Sequence, residues 1–312
     1  MKRILVTGAG GFCGRHLCSY LAQKSHPVVG TYRGHTPQGL KGVRLLPLEM
    51  TDRQGVDDLI RRVRPSFVYH LAAQSVPRYS FKEPEKTFDA NAAGTLYLLD
   101  ALRRWSPHAR ILLASSIQVY GHSFRRGKAV GERDLLWPES PYAASKIMAE
   151  GACLDFMNRF GISVVIARAF NHLGRGQPLH FVFSDWCRQI ALAEIGQHRP
   201  VLEVGNLEAY RDFLHVRDVL SAYTLLMKKG RDGAIYNICS GKVRLLRDYV
   251  DFLLQKAKVA MRVEVQKKRL RRYDPSTMKG NASKLRALGW RPRHSPFKAL
   301  EELLNEWRTK LS

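Results

Sequence analysis

The stretch MKRILVTGAGGFCGRHLCSYLA, residues 1–22, decides the fold. It begins with a short apolar run, Ile4 to Val6, which reads as a buried parallel strand. The run breaks at Gly8, Gly11 and Gly14 and becomes a helical pattern through Leu17 and Leu21. Strand, glycine turn and helix in that order let a backbone approach a pyrophosphate closely. The helix amino terminus then offers unpaired N–H groups and the positive end of its dipole. The spacing is G-x-x-G-x-x-G, which differs from the common G-x-G-x-x-G dinucleotide fingerprint.

Three segments further along extend this reading. The next strand, PVVGTYRG, ends in Thr31, Tyr32 and Arg33 with no acid. An NAD enzyme places Asp or Glu there to bind the adenosine ribose. Arg33 matches a 2′-phosphate instead, so NADP(H) is the preferred cofactor, with NAD(H) possible. ASSIQVYG (114–121) follows the apolar run Ile111 to Leu113, which puts Ser116 at the carboxyl end of a strand, where open α/β sheets hold ligands. SPYAASK carries Tyr142 and Lys146 four apart on a helix, so both side chains leave one face. A nearby ammonium is expected to lower the phenol from its ordinary value and make it an acid–base group for hydride chemistry. Ser116 is placed to hydrogen-bond a substrate oxygen beside it.

Five motifs now stand in order: TGAGGFCG, LEMTD (48–52), HLAAQS (70–75), SSIQVYG and YAASK. In this order they resemble the extended short-chain dehydrogenases/reductases that act on nucleotide sugars, over essentially the whole chain. AFNHLGRGQP (169–178), VGNLEAYRDFLHVRDV (204–219) and RLRRYDPSTMKGNASKL (269–285) look like the GDP-mannose branch. The resemblance implies an α/β fold: a doubly wound parallel Rossmann sheet with a smaller α+β substrate domain. It also implies roles for individual residues. Gly8, Gly11 and Gly14 match the diphosphate glycines, and Phe12 the residue whose backbone follows the nicotinamide side. Glu49 and Met50 match an Asp-Leu pair at the adenine, and Leu71, Ala72 and Ala73 line the cofactor ribose. Ser116, Tyr142 and Lys146 match the catalytic set. Gln118 and Asn171 fall on the sugar side, and Arg211, Arg271 and Asp274 match positions that hold the pyrophosphate and nucleoside of a GDP-sugar.

The implied reaction is reduction of the C4 ketone of GDP-4-keto-6-deoxy-D-mannose by NADPH, giving GDP-D-rhamnose or its C4 epimer, GDP-6-deoxy-D-talose. Dehydratases of the branch carry a glutamate two residues after the catalytic Ser/Thr; this chain has Gln118, and a neutral amide is no general base. The runner-up is a C4 epimerase with tightly bound NAD, and a third reading is a non-catalytic cofactor-binding scaffold. Relatives pair two helices per subunit into a four-helix bundle. Here Ala92, Leu96, Leu99, Ile147, Ala149 and Leu154 lie on those helices, and a homodimer is expected.

At 312 residues and 45% hydrophobic, the chain can bury a substantial core. The expected division is 1–169 with 212–240 for the cofactor, and 170–211 with 241–312 for the sugar nucleotide. Strands are expected at 3–7, 27–31, 43–48, 67–70, 110–114 and 163–168, with helices between. No apolar run is long enough for a membrane span and the first is too short for a signal peptide, so a cytoplasmic protein is expected. Five cysteines show no C-x-x-C pair and no metal spacing, so no metal is expected and the thiols read as reduced. Cys13, in the phosphate loop, reads as a packing residue. The formal net charge is +24, and residues 256–312 hold 16 Lys and Arg against 5 Asp and Glu. Steering of anionic nucleotide sugars, contact with nucleic acid or an anionic surface, and a solvated surface without a partner compete here. The last is favoured, since the cluster lacks interleaved aromatics and no DNA-binding module is apparent.

Overall fold

The computed structural model describes residues 3–270 and 274–312. In chain order the strands are β1 (Ile4–Thr7), β2 (Val28–Tyr32), β3 (Val43–Pro47), β4 (Phe67–His70), β5 (Arg110–Ser116), β6 (Ser163–Ala169), β7 (Asn171–Leu173), β8 (Val201–Val204), β9 (Tyr210–Arg211), β10 (Phe213–His215), β11 (Ile235–Ile238), β12 (Arg244–Leu245), β13 (Arg262–Val265) and β14 (Thr277–Met278). Among the described residues, seven of them form one sheet in the order β11-β6-β5-β4-β1-β2-β3, every pairing parallel. The order reverses direction beside β1, which makes a crevice at the carboxyl ends of β1 and β4.

Both faces of this sheet are covered, as the continuous apolar runs require. Ile4, Val6, Leu112 and Val165 point to one face. They pack on α1 (Phe12–Ala22) through Leu17 and Leu21, and on a helix at 216–229 through Val219 and Leu226. Leu5, Val68, Ile111, Leu113 and Val164 point to the other. There they meet α2 (Arg53–Val63), then, beyond the short α3 (Pro77–Ser80) and α4 (Pro84–Phe88), α5 (Gly94–Trp105) and α6 (Pro141–Phe160). Alternate residues of single strands thus feed two separate cores, which is the period-2 geometry of a strand.

A further core gathers α7 (Val182–Glu194), α9 (Leu246–Lys256) and α11 (Pro296–Leu311) around Phe183, Trp186, Leu253, Leu300 and Leu304. The 216–229 helix is α8, and α10 (Ser283–Ala287) leans on β11. Among the described residues, small ladders separate from the main sheet accompany this core: β10 with β7, β13 with β8, and β12-β9-β14. The expected strands are present with boundaries shifted by at most two residues, but the helix expected between β2 and β3 is not: residues 33–42 form turns and bends. Features not expected include a π-helical turn at Asp89–Ala93 leading into α5, a 3₁₀ segment at Ile117–Arg126 and the short strands β7, β9, β10, β12 and β14.

The glycine turn is fixed by sterics. Gly8 has φ +73°, and a Cβ there would lie 2.8 Å from the Ala72 backbone. A Cβ on Gly14 would run into the Gly8 carbonyl oxygen, backbone against backbone. Gly14→Ala should therefore cost about 3 kcal/mol or more of stability, a large overpacking penalty, read as the shift in urea unfolding. A midpoint within error of wild type would show that the turn is not held this tightly.

Candidate active site

Two elements converge at the carboxyl end of β5. The strand delivers Ser115 and Ser116, and the Ser116 Oγ accepts the Gln118 N–H at 3.2 Å, starting the 3₁₀ segment. α6 is started by Ser140, whose Oγ accepts the Ala143 N–H at 3.1 Å, and by Pro141 at its first position. This sets Tyr142 and Lys146 on the buried face of α6, at 7% and 5% exposure. Ser116 hydrogen-bonds the Tyr142 phenol.

Burial raises the Tyr142 phenol above its ordinary value, and the Ser116 hydrogen bond opposes this only in part. The expected lowering by Lys146 is not found: burial sets the shift and Ser116 alone opposes it. Lys146 Nζ donates to the Ala114 carbonyl at 2.9 Å. Desolvation brings its ammonium down to about 8, while the Glu150 carboxylate one turn away pulls it up. The lysine is therefore still mostly charged at pH 7, and it loses its proton as pH rises through about 8.

The cofactor side begins at α1. Its first turn has no side-chain cap, so the leading amides at Phe12, Cys13 and Gly14 are left for an anion. This donor set fits a dinucleotide diphosphate. The Ala72 N–H donates to Thr7 Oγ1 at 3.2 Å, which holds the segment 71–73 against the glycine turn. Arg33 is exposed, and its Nη1 lies 3.5 Å from a Glu49 carboxylate oxygen. The other Glu49 oxygen accepts the Met50 N–H at 3.0 Å. The Met50 side chain is core, against Gly94 at the start of α5. Cys13 packs on the core beside α1 and also sits 3.0 Å from His172 Nε2.

On the sugar-nucleotide side, Asn171 opens β7 and is half-buried. Arg211 and Asp274, read separately from the sequence, are brought together at 2.5 Å, and Asn206 Nδ2 donates to the other Asp274 oxygen at 3.0 Å. Arg271 lies outside the described residues. Of the six residues expected on a dimer face, Leu99 and Ala149 are fully buried in the core under the sheet, while Leu96 is 43% exposed.

Sequence reading missed a buried network beneath the site. Arg168, near the carboxyl end of β6, donates from Nε and Nη2 to Glu150 at 3.0 and 2.6 Å. It also donates to the Tyr120 hydroxyl at 3.0 Å, which in turn donates to Asn237 at 2.7 Å. Ser115 donates to the same Glu150 at 2.5 Å. A second network fixes the helix pair: Asn91, in the π turn, donates to the Ser145 hydroxyl at 2.9 Å, and Ser145 donates to the Tyr142 carbonyl at 2.8 Å. The signals were present, as an arginine inside an apolar strand and a glutamate one turn past Lys146.

This sheet, its glycine turn and its Ser/Tyr/Lys cluster define an extended short-chain dehydrogenase/reductase, an NAD(P)-dependent oxidoreductase of the nucleotide-sugar class. Within that class the chain belongs to the GDP-mannose 4,6-dehydratase family, whose model matches residues 5–304. It is 35% identical to GDP-6-deoxy-D-mannose reductase of Pseudomonas aeruginosa, over 99% of this chain and 98% of the relative. It superposes on the solved structure of RMD from Pseudomonas aeruginosa complexed with NADPH with a TM-score of 0.87, at 35% identity, covering 99% of this chain and 100% of that one. Thermus thermophilus UDP-glucose 4-epimerase in complex with NAD gives a TM-score of 0.86 at 27% identity, covering 98% and 99%. Among the described residues no helix is long and apolar enough to cross a membrane.

Proposed function

We propose that this protein reduces the C4 ketone of GDP-4-keto-6-deoxy-D-mannose with NADPH, giving GDP-D-rhamnose or GDP-6-deoxy-D-talose. The observation that carries the reading is Gln118: the chain resembles reductases and dehydratases alike, and at this position it holds an amide that cannot remove the sugar C5 proton. Bound NADPH supplies a hydride to sugar C4. The chain's part is to hold the ketone and complete the alcohol. Ser116 donates a hydrogen bond that polarises the carbonyl, and Tyr142 transfers its phenolic proton to O4 as charge develops there. A phenol kept protonated by burial is the competent form for this direction. The charged Lys146 stabilises the phenolate left behind.

Gly8, Gly11, Phe12 and Gly14 hold the diphosphate, Leu71, Ala72 and Ala73 line the ribose, Glu49 and Met50 flank the adenine and Arg33 takes the 2′-phosphate. Asn171, Arg211 and Asp274 hold the sugar nucleotide, with Arg271 assigned by resemblance alone. The division into 1–169 with 212–240 and 170–211 with 241–312 and the cytoplasmic location belong to the same reading. So does a homodimer through α5 and α6, supported by the exposure of Leu96 and Met148 on those helices.

Purified protein given the keto-sugar should oxidise NADPH mole for mole, and given GDP-mannose alone it should form no ketone. Formation of that ketone sinks the reductase. Stoichiometric NAD in the purified protein, with no net NADPH turnover, replaces it by the C4 epimerase. Arg33→Ala should lower the preference for NADPH over NADH by roughly 10- to 100-fold in kcat/KM, the worth of hydrogen bonds from a charged donor at ~1.5–3 kcal/mol. An unchanged ratio removes Arg33 from the 2′-phosphate.

A further inference from the structure

We propose a second anion site, for a phosphate-bearing ligand, in the cleft between residues 240–244 and 291–296. This cavity of ≈ 380 Å³ is lined by Lys242, Arg244, Arg286, Arg291, Arg293 and His294 over an apolar floor that includes Tyr249 and Pro296. It shares no residue with the catalytic or sugar-nucleotide set, and its five lysines and arginines come mainly from the basic carboxyl third that the reductase reading leaves unused.

The charge there is unbalanced. Arginines elsewhere are widely paired with carboxylates, as Arg168 is with Glu150, Arg211 with Asp274 and Arg308 with Glu194. None of the five cations of this cleft has an ion pair among the described residues. Two carboxylates beside the cleft, Asp212 and Asp218, are held by amide, hydroxyl and imidazole groups, and Arg286 attracts Asp212 without forming an ion pair. Asp212 accepts from the Ser240 and Gly241 amides at 3.1 and 2.7 Å and from the Ser240 hydroxyl at 2.7 Å. Asp218 accepts from the Arg293 and His294 amides at 3.0 and 2.9 Å and bonds the His294 ring at 2.8 Å.

Two of the guanidiniums are already oriented. Arg291 Nη1 donates to the Arg286 and Trp290 carbonyls, at 2.8 Å each. Arg286 donates to the Ser240 carbonyl, and its Nε is buried without a hydrogen-bond partner. The guanidinium forks that line the cleft match phosphate oxygens in geometry and charge. Five like charges around one cavity repel one another, and a multivalent anion removes that repulsion. The cavity holds more than one phosphate group, and its apolar floor suits the body of a phosphorylated metabolite.

The probe is inorganic pyrophosphate, titrated into the full chain loaded with NADPH and saturated with GDP, at constant ionic strength. Saturable binding is expected in the wild type. Arg291→Ser/Arg293→Ser should weaken it at least tenfold, with kcat/KM for the keto-sugar within twofold. Lys242→Gln, at the opposite rim, should weaken it in the same direction and serves as the second variant if the first is poorly behaved. Three results overturn the site: no saturable binding in the wild type up to millimolar pyrophosphate, equal affinity in the variants, or equal displacement by acetate, which would mark general counter-ion condensation.

Discussion

Tyr142→Phe should lower turnover with the keto-sugar by roughly 10²- to 10⁴-fold, the range spanned by one positioned proton donor. The change removes a single oxygen from a side chain that is 7% exposed and leaves the ring packing intact. Its structural cost falls on Ser116, which loses a hydrogen-bond partner worth about 1 kcal/mol. The fold should therefore persist, and NADPH should bind within a few-fold of wild type, since the glycine turn and the amino end of α1 are untouched. Stopped-flow NADPH oxidation at saturating substrate separates these quantities. Residual turnover above about a tenth of wild type, outside that range, would assign the proton to another group. Equal loss of turnover and of cofactor binding would make Tyr142 a packing residue of the cleft.

Much of this site was legible because its determinants are local. The turn after β1 needs glycine at positions 8 and 14 for reasons that act within a few residues, and sequence shows them directly. The same holds for Tyr142 and Lys146, whose common face follows from helical spacing, and for Ser116 at a strand end. What sequence could not show is what depends on contacts between distant segments. Arg211 and Asp274 are 63 positions apart, so each reads as a separate nucleotide contact, whereas the fold closes them into a pair. Leu99 and Ala149 fit an exposed helix face as well as a buried one until the sheet beneath them is in place. Glu150 and Arg168 each leave a local signal, a charge in an apolar stretch, but 18 positions separate them and neither names the other. Only the parallel register of β5 and β6 under α6 makes them partners.

That buried pair gives the largest expected effect on stability. Glu150 and Arg168 have side chains 4% and 2% exposed, joined by two hydrogen bonds. Glu150→Gln keeps the shape and removes the negative charge, leaving an arginine in the core without a counter-ion. Breaking such a pair from one side costs about 3–5 kcal/mol. Glu150 also lies one helical turn from Lys146 and raises its proton affinity against the burial that brings it to about 8. The group titrates among Glu150, Cys153 and the neutral His70. With Glu150 neutral, the lysine should lose its proton at lower pH. The alkaline fall in kcat, expected near pH 8 in the wild type, should then begin earlier in the variant. Glu150→Gln/Arg168→Met separates the two effects. Replacing both charges by matched neutral groups should recover most of the stability, since the desolvation cost disappears with the charges. The early alkaline fall should remain, because the carboxylate near Lys146 is still missing. A pH profile that returns to wild type together with stability would show that Glu150 acts only through packing and that the alkaline limb belongs to a group other than Lys146.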